Sequence, residues 1–291
     1  MKIEDLALSF VPNLTPDATA ALIAEFGDAE LVFAASSQAL VQRVGLREDI
    51  AKAIEARAGF EAAEREIEHC KKSNIEIVAA TDSHYPNRLL YTSDYPHIIY
   101  MVGARELVDC PLLCGFVGDA ETMSSYGEKM TVRLIEQLAE EAPEVVVVGA
   151  LSGCIDRIAL RYAHICGLRT IGVTSYPLSQ IPQNEGYYIA GEILESGGAI
   201  VSTVGIMSSV QGEPNSFRER LVAGLSDGVV VVEAAEIPAV AHYADNYGRC
   251  LMALPGRVTD INSRGANRMI ASSMATIIFS ARDIIKQLDI E

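Results

Sequence analysis

The sequence predicts an α/β protein: a doubly wound, mostly parallel sheet preceded by a small all-helical segment. Three observations carry this. From residue 112 onward, short continuous apolar runs alternate with amphipathic helical stretches, the pattern of a parallel sheet covered on both faces. Several of those runs end on glycine, as at Gly118 and Gly149, where a strand turns into a helix. Before residue 74 no such run occurs, and apolar residues recur at helical spacing.

Residues 3–58 read as short helices. Pro12 and Pro16 punctuate the start, and Thr15-Pro16-Asp17 is an N-cap, a first-position proline and a first-turn acid. Residues 18–26 form a helix closed by Gly27, residues 28–35 a second, Ser36-Ser37-Gln38 opens a third, and a turn at Gly45 precedes a helix over 47–58. Small helices joined by glycine turns fit a helix-hairpin-helix or SAM-like module, and equally a plain helical cap. A charged helix over 61–73 bridges to a short strand at 75–79. The Tyr/Pro-rich stretch 84–97 is expected to be extended, because each proline disfavours helix in the residue before it. The organisation expected is a helical domain over 1–73, a connector over 74–111 and a sheet domain over 112–291.

Within that sheet domain, strands are expected at 112–117, 145–148, 170–173, 199–203, 229–232, 250–254 and 276–279. Helices are expected at 125–140, 155–166, 185–196, 217–225, 238–247 and 281–288.

The composition bounds the function. Thirty-nine acidic against 23 basic residues give a formal charge of -16, which excludes a wholly basic nucleic-acid-binding surface but leaves room for a local basic pocket. Tryptophan is absent. Six cysteines lie scattered without CxxC or zinc spacing, and Cys114 falls inside a buried strand. They are expected to be reduced thiols, so no metal or cofactor is expected. The N-terminus lacks the pattern of a signal peptide, and no window is long and apolar enough to span a membrane. A cytoplasmic protein is expected.

Ligands of open parallel sheets sit at the carboxyl ends of the strands, and most unusual residues fall in those loops. The turn 149–156, Gly-Ala-Leu-Ser-Gly-Cys-Ile-Asp, directs backbone amides at a helix start and favours an anion. The glycines alone would also serve a tight turn, and Asp156 a first-turn acid. It is neither GxGxxG nor a Walker loop. Arg218 and Arg220 open a helix beside the strand 229–232, an arrangement suited to phosphate. No catalytic constellation is present: Ser152 and His164 share one loop–helix unit without a nucleophile elbow. Glu233 can be a base or an acceptor for backbone amides, and the second reading is preferred.

Taken in order, these loops resemble the DNA-processing protein A (DprA/Smf) family. The family's series is VGSRxxSxYG, SGxAxGID, FPxRNRxIAGLS, VVEA, SGSxxTA, GRxVxAVPG and GxNxLI. This chain carries Val117-Gly118 with Ser125-Tyr126-Gly127, then Leu151 with Ile155-Asp156. Residues 218–227 read RERLVAGLSD and residues 231–234 VVEA. Gly248-Arg249, Ala253-Leu254-Pro255-Gly256 and the run SRGANRMI at 263–270 follow, and Tyr85-Pro86-Asn87-Arg88-Leu89 resembles the family's YPxxL segment. The departures fall on the pocket. Ala120 stands at the VGSR arginine, Gly149-Ala150 at the leading Ser-Gly and Cys154 at the later glycine. Asn215-Ser216 replace Phe-Pro, Glu219 stands between the two retained arginines, and the SGSxxTA element is missing between Ala234 and Gly248.

The resemblance implies an extended Rossmann-like domain, here without the C-terminal winged helix of some members. It implies a non-enzymatic, homodimeric protein that binds single-stranded DNA and hands it to a RecA-type recombinase in natural transformation or recombination. Its DNA or anion site would comprise Gly118, Ser152, Gly153, Asp156, Arg218 and Arg220, with Arg249 and Arg268 as secondary contacts. A nucleotide-binding protein, or an interaction scaffold that has lost DNA binding, is the alternative.

Overall fold

The computed structural model describes residues 1–119, 122–183, 187–207 and 214–289. Ala120, the expected helix start at residue 185 and the middle of the loop before Arg218 lie outside them. The chain divides into two compact units, one of Met1–Met101 with Thr203–Val210, the other of Val102–Ser202 with Gln211–Glu291.

The first unit opens with six helices: α1 (Ile3–Ser9), α2 (Pro16–Phe26), α3 (Ala29–Ala34), α4 (Ser37–Val44), α5 (Glu48–Glu55) and α6 (Phe60–Lys72). The starts of α2, α3 and α4 follow from side-chain caps: Thr15 accepts from the Ala18 N–H, Asp28 from Leu31 and Ser36 from Ala39. Leu6, Leu22, Leu40 and Ile54 are fully buried.

Strand β1 (Glu76–Ala79), the single turn α7 (Asn87–Leu90) and β2 (Ile98–Gly103) follow, with β1 antiparallel to β2 and Ala79 opposite Ile98. The stretch expected to be extended thus holds a helical turn directly after Pro86. The Tyr85 hydroxyl donates to the Pro96 carbonyl and folds the segment back on itself. β2 was not among the expected strands: its run Ile-Ile-Tyr-Met-Val starts two residues after Pro96, inside what reads as connector.

The second unit is the parallel sheet. Its strands are β3 (Leu113–Gly118), β4 (Val146–Ala150), β5 (Thr170–Thr174), β6 (Ala199–Ser202), β7 (Gly228–Glu233), β8 (Cys250–Ala253) and β9 (Thr276–Ile277), in the order β6-β5-β4-β3-β7-β8-β9. All these pairings are parallel. The helices are α8 (Ser125–Glu141), α9 (Cys154–Ile165), α10 (Tyr187–Glu195), α11 (Pro214–Leu225), α12 (Ala239–Asn246), α13 (Arg264–Ala271) and α14 (Ala281–Gln287). The expected helical segment and mostly parallel, helix-flanked sheet are both present.

Alternate residues of each strand serve opposite faces. Cys114 and Phe116 of β3, Val147 of β4 and Val230 and Val232 of β7 share one core with Leu134, Ile135 and Leu138 of α8, Ile155 and Ala159 of α9, and Ile284 of α14. The intervening Gly115 faces Ser226, just beyond α11, where a Cβ would lie 2.8 Å from the Ser226 hydroxyl. Burial pushes the Cys114 thiol up, so it stays protonated. All six cysteines are free thiols.

Chain order reverses between β3 and β7: β4, β5 and β6 lie to one side of β3, and β7, β8 and β9 to the other. In open parallel sheets a crevice forms beyond the carboxyl ends at that point.

Candidate anion-binding cleft

A cleft of about 180 Å³ lies there, bounded by the ends of β3 and β4, the first turn of α9, α11 and the start of α12. Gly118 closes β3. A Cβ at Gly118 would come within 2.4 Å of the Ile155 side chain, so α9 approaches the strand closely only because the residue is glycine.

Arg218 of α11 enters the cleft almost completely buried, at 7% exposure. Its Nη1 donates to Ser152 Oγ at 2.6 Å, and its Nη2 pairs with Glu219 at 3.5 Å. Gly153 is the N-cap of α9 and lines the cleft with Asp156 from the first turn. Asp156 is buried and accepts from the Ala150 N–H at 2.9 Å, with a further bond from the Gly118 backbone. Burial pushes its carboxyl up to about 6, against the downward pull of those amides and of the Arg218 charge.

Five of the expected site residues, Gly118, Ser152, Gly153, Asp156 and Arg218, thus lie together in the fold. The other three predicted residues point elsewhere. The Arg220 guanidinium lies 5.2 Å from the ring centroid of Tyr243 on α12. Arg249 donates through Nη2 to the Gly224 carbonyl at 2.9 Å, holding the last turn of α11. Arg268 of α13 pairs with Glu236 at 2.9 Å.

Two acidic residues line the cleft that the pattern of glycines and arginines did not single out as contacts: Asp119 and Glu219. Asp119 accepts from the Ala235 N–H at 2.8 Å and so ties the end of β3 to the chain after β7. Pro238, Ala239 and Val240 complete the wall, because the chain after β7 passes directly into α12. The signal for Asp119 was its place beside Gly118 at a strand end.

Glu233 acts as the amide acceptor of the preferred reading. It accepts from the Ser124 N–H at 2.9 Å and the Ser124 hydroxyl at 2.6 Å, and Ser124 in turn caps α8 by accepting from Tyr126 and Gly127. Ser152 lies in the loop before α9 and His164 in its last turn, with about 15 Å of helix axis between Cys154 and His164. Among the described residues, no group of three or more His, Cys, Asp and Glu side chains is arranged to hold a metal ion, and no helix is long and apolar enough to cross a membrane.

A cleft at the switch point of a parallel sheet, floored by a helix start and containing a buried guanidinium, marks the chain as a protein with a Rossmann-type sheet and a candidate ligand site. The chain belongs to the DNA recombination-mediator protein A family, whose model matches residues 76–289. Protein Smf of Escherichia coli strain K12 is 29% identical over 221 residues, 75% of this chain and 58% of that protein. DNA processing protein DprA of Bacillus subtilis strain 168 is 25% identical over 221 residues, 75% of this chain and 73% of that one. The chain thus spans little more than half the length of the Escherichia coli relative.

Among solved structures, DNA processing protein A of Streptococcus pneumoniae superposes with a TM-score of 0.78, covering 98% of each chain at 21% identity, which establishes the shared fold. DNA processing protein A of Helicobacter pylori, solved to explain its single-stranded DNA binding mode, superposes with a TM-score of 0.61 at 26% identity, covering 74% of this chain and 95% of that one.

Proposed function

We propose that this protein binds single-stranded DNA and acts, without catalysing a reaction, as a recombination mediator of the DprA/Smf type. It would work in the cytoplasm as a homodimer and deliver the strand to a RecA-type recombinase in natural transformation or recombination. The observation that carries this reading is the buried Arg218 guanidinium, aimed by Ser152 into the switch-point cleft of a chain that belongs to the mediator family. The single-stranded DNA binding of the Helicobacter pylori relative supports the same ligand. Guanidinium and helix-start amides suit a phosphodiester because both offer donors to several oxygens at once.

Fluorescence anisotropy with a labelled oligo-dT at low salt tests it. Binding should weaken with salt at a logarithmic slope of about 0.7 for each phosphate neutralised, and Arg218→Ala should weaken it further. No binding at tens of micromolar protein ends this proposal.

One observation favours a second reading, an interaction scaffold that has given up DNA. Among the described residues, Asp119, Asp156 and Glu219 line the cleft together with one guanidinium, that of Arg218, so its lining carries more carboxylates than cations. In that case oligo-dT fails to bind, while a neutralising pair such as Asp119→Asn with Glu219→Gln restores binding. Nucleotide binding, the remaining alternative, would appear as a thermal shift with nucleotides and none with oligo-dT.

A further inference from the structure

After Glu233 the chain runs through Ala234, Ala235 and Glu236 against the first turn of α13. The Gly265 N–H donates to the Ala234 carbonyl at 2.7 Å, and Arg264 Nε donates to the Ala235 carbonyl at 3.2 Å. A Cβ on Gly265 would lie 2.2 Å from the Glu236 carbonyl oxygen, so this approach of backbone to helix admits only glycine.

The approach places the Glu236 carboxylate between two guanidiniums. Arg264 Nη2 donates to its Oε1, and Arg268 Nη1 to its Oε2 at 2.9 Å. The two arginines are one helical turn apart and share a face. One carboxylate opposite two guanidiniums leaves an excess of one positive charge. All three side chains are accessible, at 46%, 56% and 64% exposure, and exposed pairs of this kind exchange readily. A phosphate monoester or polyphosphate offers more terminal oxygens and more charge than a carboxylate, and a phosphodiester offers the same two oxygens and single charge, so each can engage both guanidinium forks. Glu236 also stands two residues before Pro238, which lines the cleft, so at most roughly 7 Å of chain separates them.

We propose that Arg264 and Arg268 form a phosphate-binding subsite whose resting occupant is the Glu236 carboxylate. Where the cleft holds a DNA strand, the subsite takes a neighbouring phosphodiester and Glu236 is displaced, an extension that rests on the single-stranded DNA reading.

Calorimetric titration with tripolyphosphate tests the subsite on the parent, on Glu236→Gln, and on a triple variant that adds Arg264→Gln and Arg268→Gln. Thermal melts of the three verify folding. Glu236→Gln should tighten binding by about three- to ten-fold, and the triple variant should lose that gain. Equal affinity in all three overturns the subsite. Anisotropy with oligo-dT tests the extension: Glu236→Gln should bind more tightly, with a salt slope steeper by about 0.7. If tripolyphosphate discriminates among the variants and a bound oligonucleotide does not, the extension to DNA is wrong. If the parent binds no oligonucleotide at all, the single-stranded DNA reading fails, and the tripolyphosphate titration still decides the subsite.

Discussion

Arg218 and Ser152 hold each other across the cleft: a guanidinium from α11 donates at 2.6 Å to a hydroxyl from the loop after β4, 66 positions away in sequence. The bond aims a buried cation and joins α11 to the loop after β4. Ser152→Ala removes the acceptor and leaves a largely desolvated N–H of a charged group without it. The expected loss is about 1–3 kcal/mol, read as a lower denaturation midpoint at unchanged slope. A midpoint equal to the parent's would show that the bond contributes nothing.

Asp156 gives stability a pH dependence of unusual sign. Its carboxyl is raised to about 6 by burial, above the value near 3.9 of an unfolded chain. Between those limits the native state binds more protons than the unfolded state, so this group's contribution is full below about pH 4. It falls away as pH rises through 6, by an amount on the order of 3 kcal/mol. Asp28, Asp49 and Asp283, all held below the ordinary carboxylate range, work in the opposite direction. The clean measurement is therefore a difference. Between pH 4 and 6, Asp156→Asn should lose less stability with rising pH than the parent does. Parallel pH profiles would contradict this.

Glu219 is the near neighbour that offsets Arg218, at 3.5 Å. Glu219→Gln keeps the size of the side chain and removes the charge. If the cleft holds phosphate, oligo-dT affinity should rise about three- to ten-fold, equivalent to roughly 1 kcal/mol for a part-exposed pair. Unchanged affinity would place the phosphate away from Arg218.

Elements set by local chemistry were legible in the sequence. Thr15, Asp28 and Ser36 cap helices where a capping side chain precedes an apolar stripe, and the strand runs around Val147 and Val230 are apolar on both faces because the sheet is covered on both. β2 was hidden because Pro96 and Tyr85 mark a connector, whereas its pairing with β1 depends on a partner some twenty residues earlier. In the site, Gly118, Ser152, Gly153, Asp156 and Arg218 were readable from motif order. The destinations of Arg220 and Arg249 were not. Which way a long side chain turns is fixed by Tyr243 and the Gly224 carbonyl, both supplied by tertiary packing. Glu66 shows the same limit: in the sequence it is one acid among several on a charged helix, yet it is 1% exposed.

Glu66 of α6 accepts from the backbone N–H groups of Ile206 at 2.9 Å and Met207 at 2.6 Å, with the Cys70 thiol at 3.6 Å. A carboxylate is suited to this because both of its oxygens accept. Glu66→Ala leaves two backbone donors without their acceptor and is expected to destabilise the protein by roughly 2–5 kcal/mol. Glu66→Gln has one acceptor oxygen and turns an NH2 toward the other N–H, so it should lose about half as much. Denaturant midpoints rank the three proteins, and amide exchange at Ile206 and Met207 locates the effect, since both should accelerate in Glu66→Ala. If Glu66→Ala unfolds within about 0.5 kcal/mol of the parent, the carboxylate does not hold this segment.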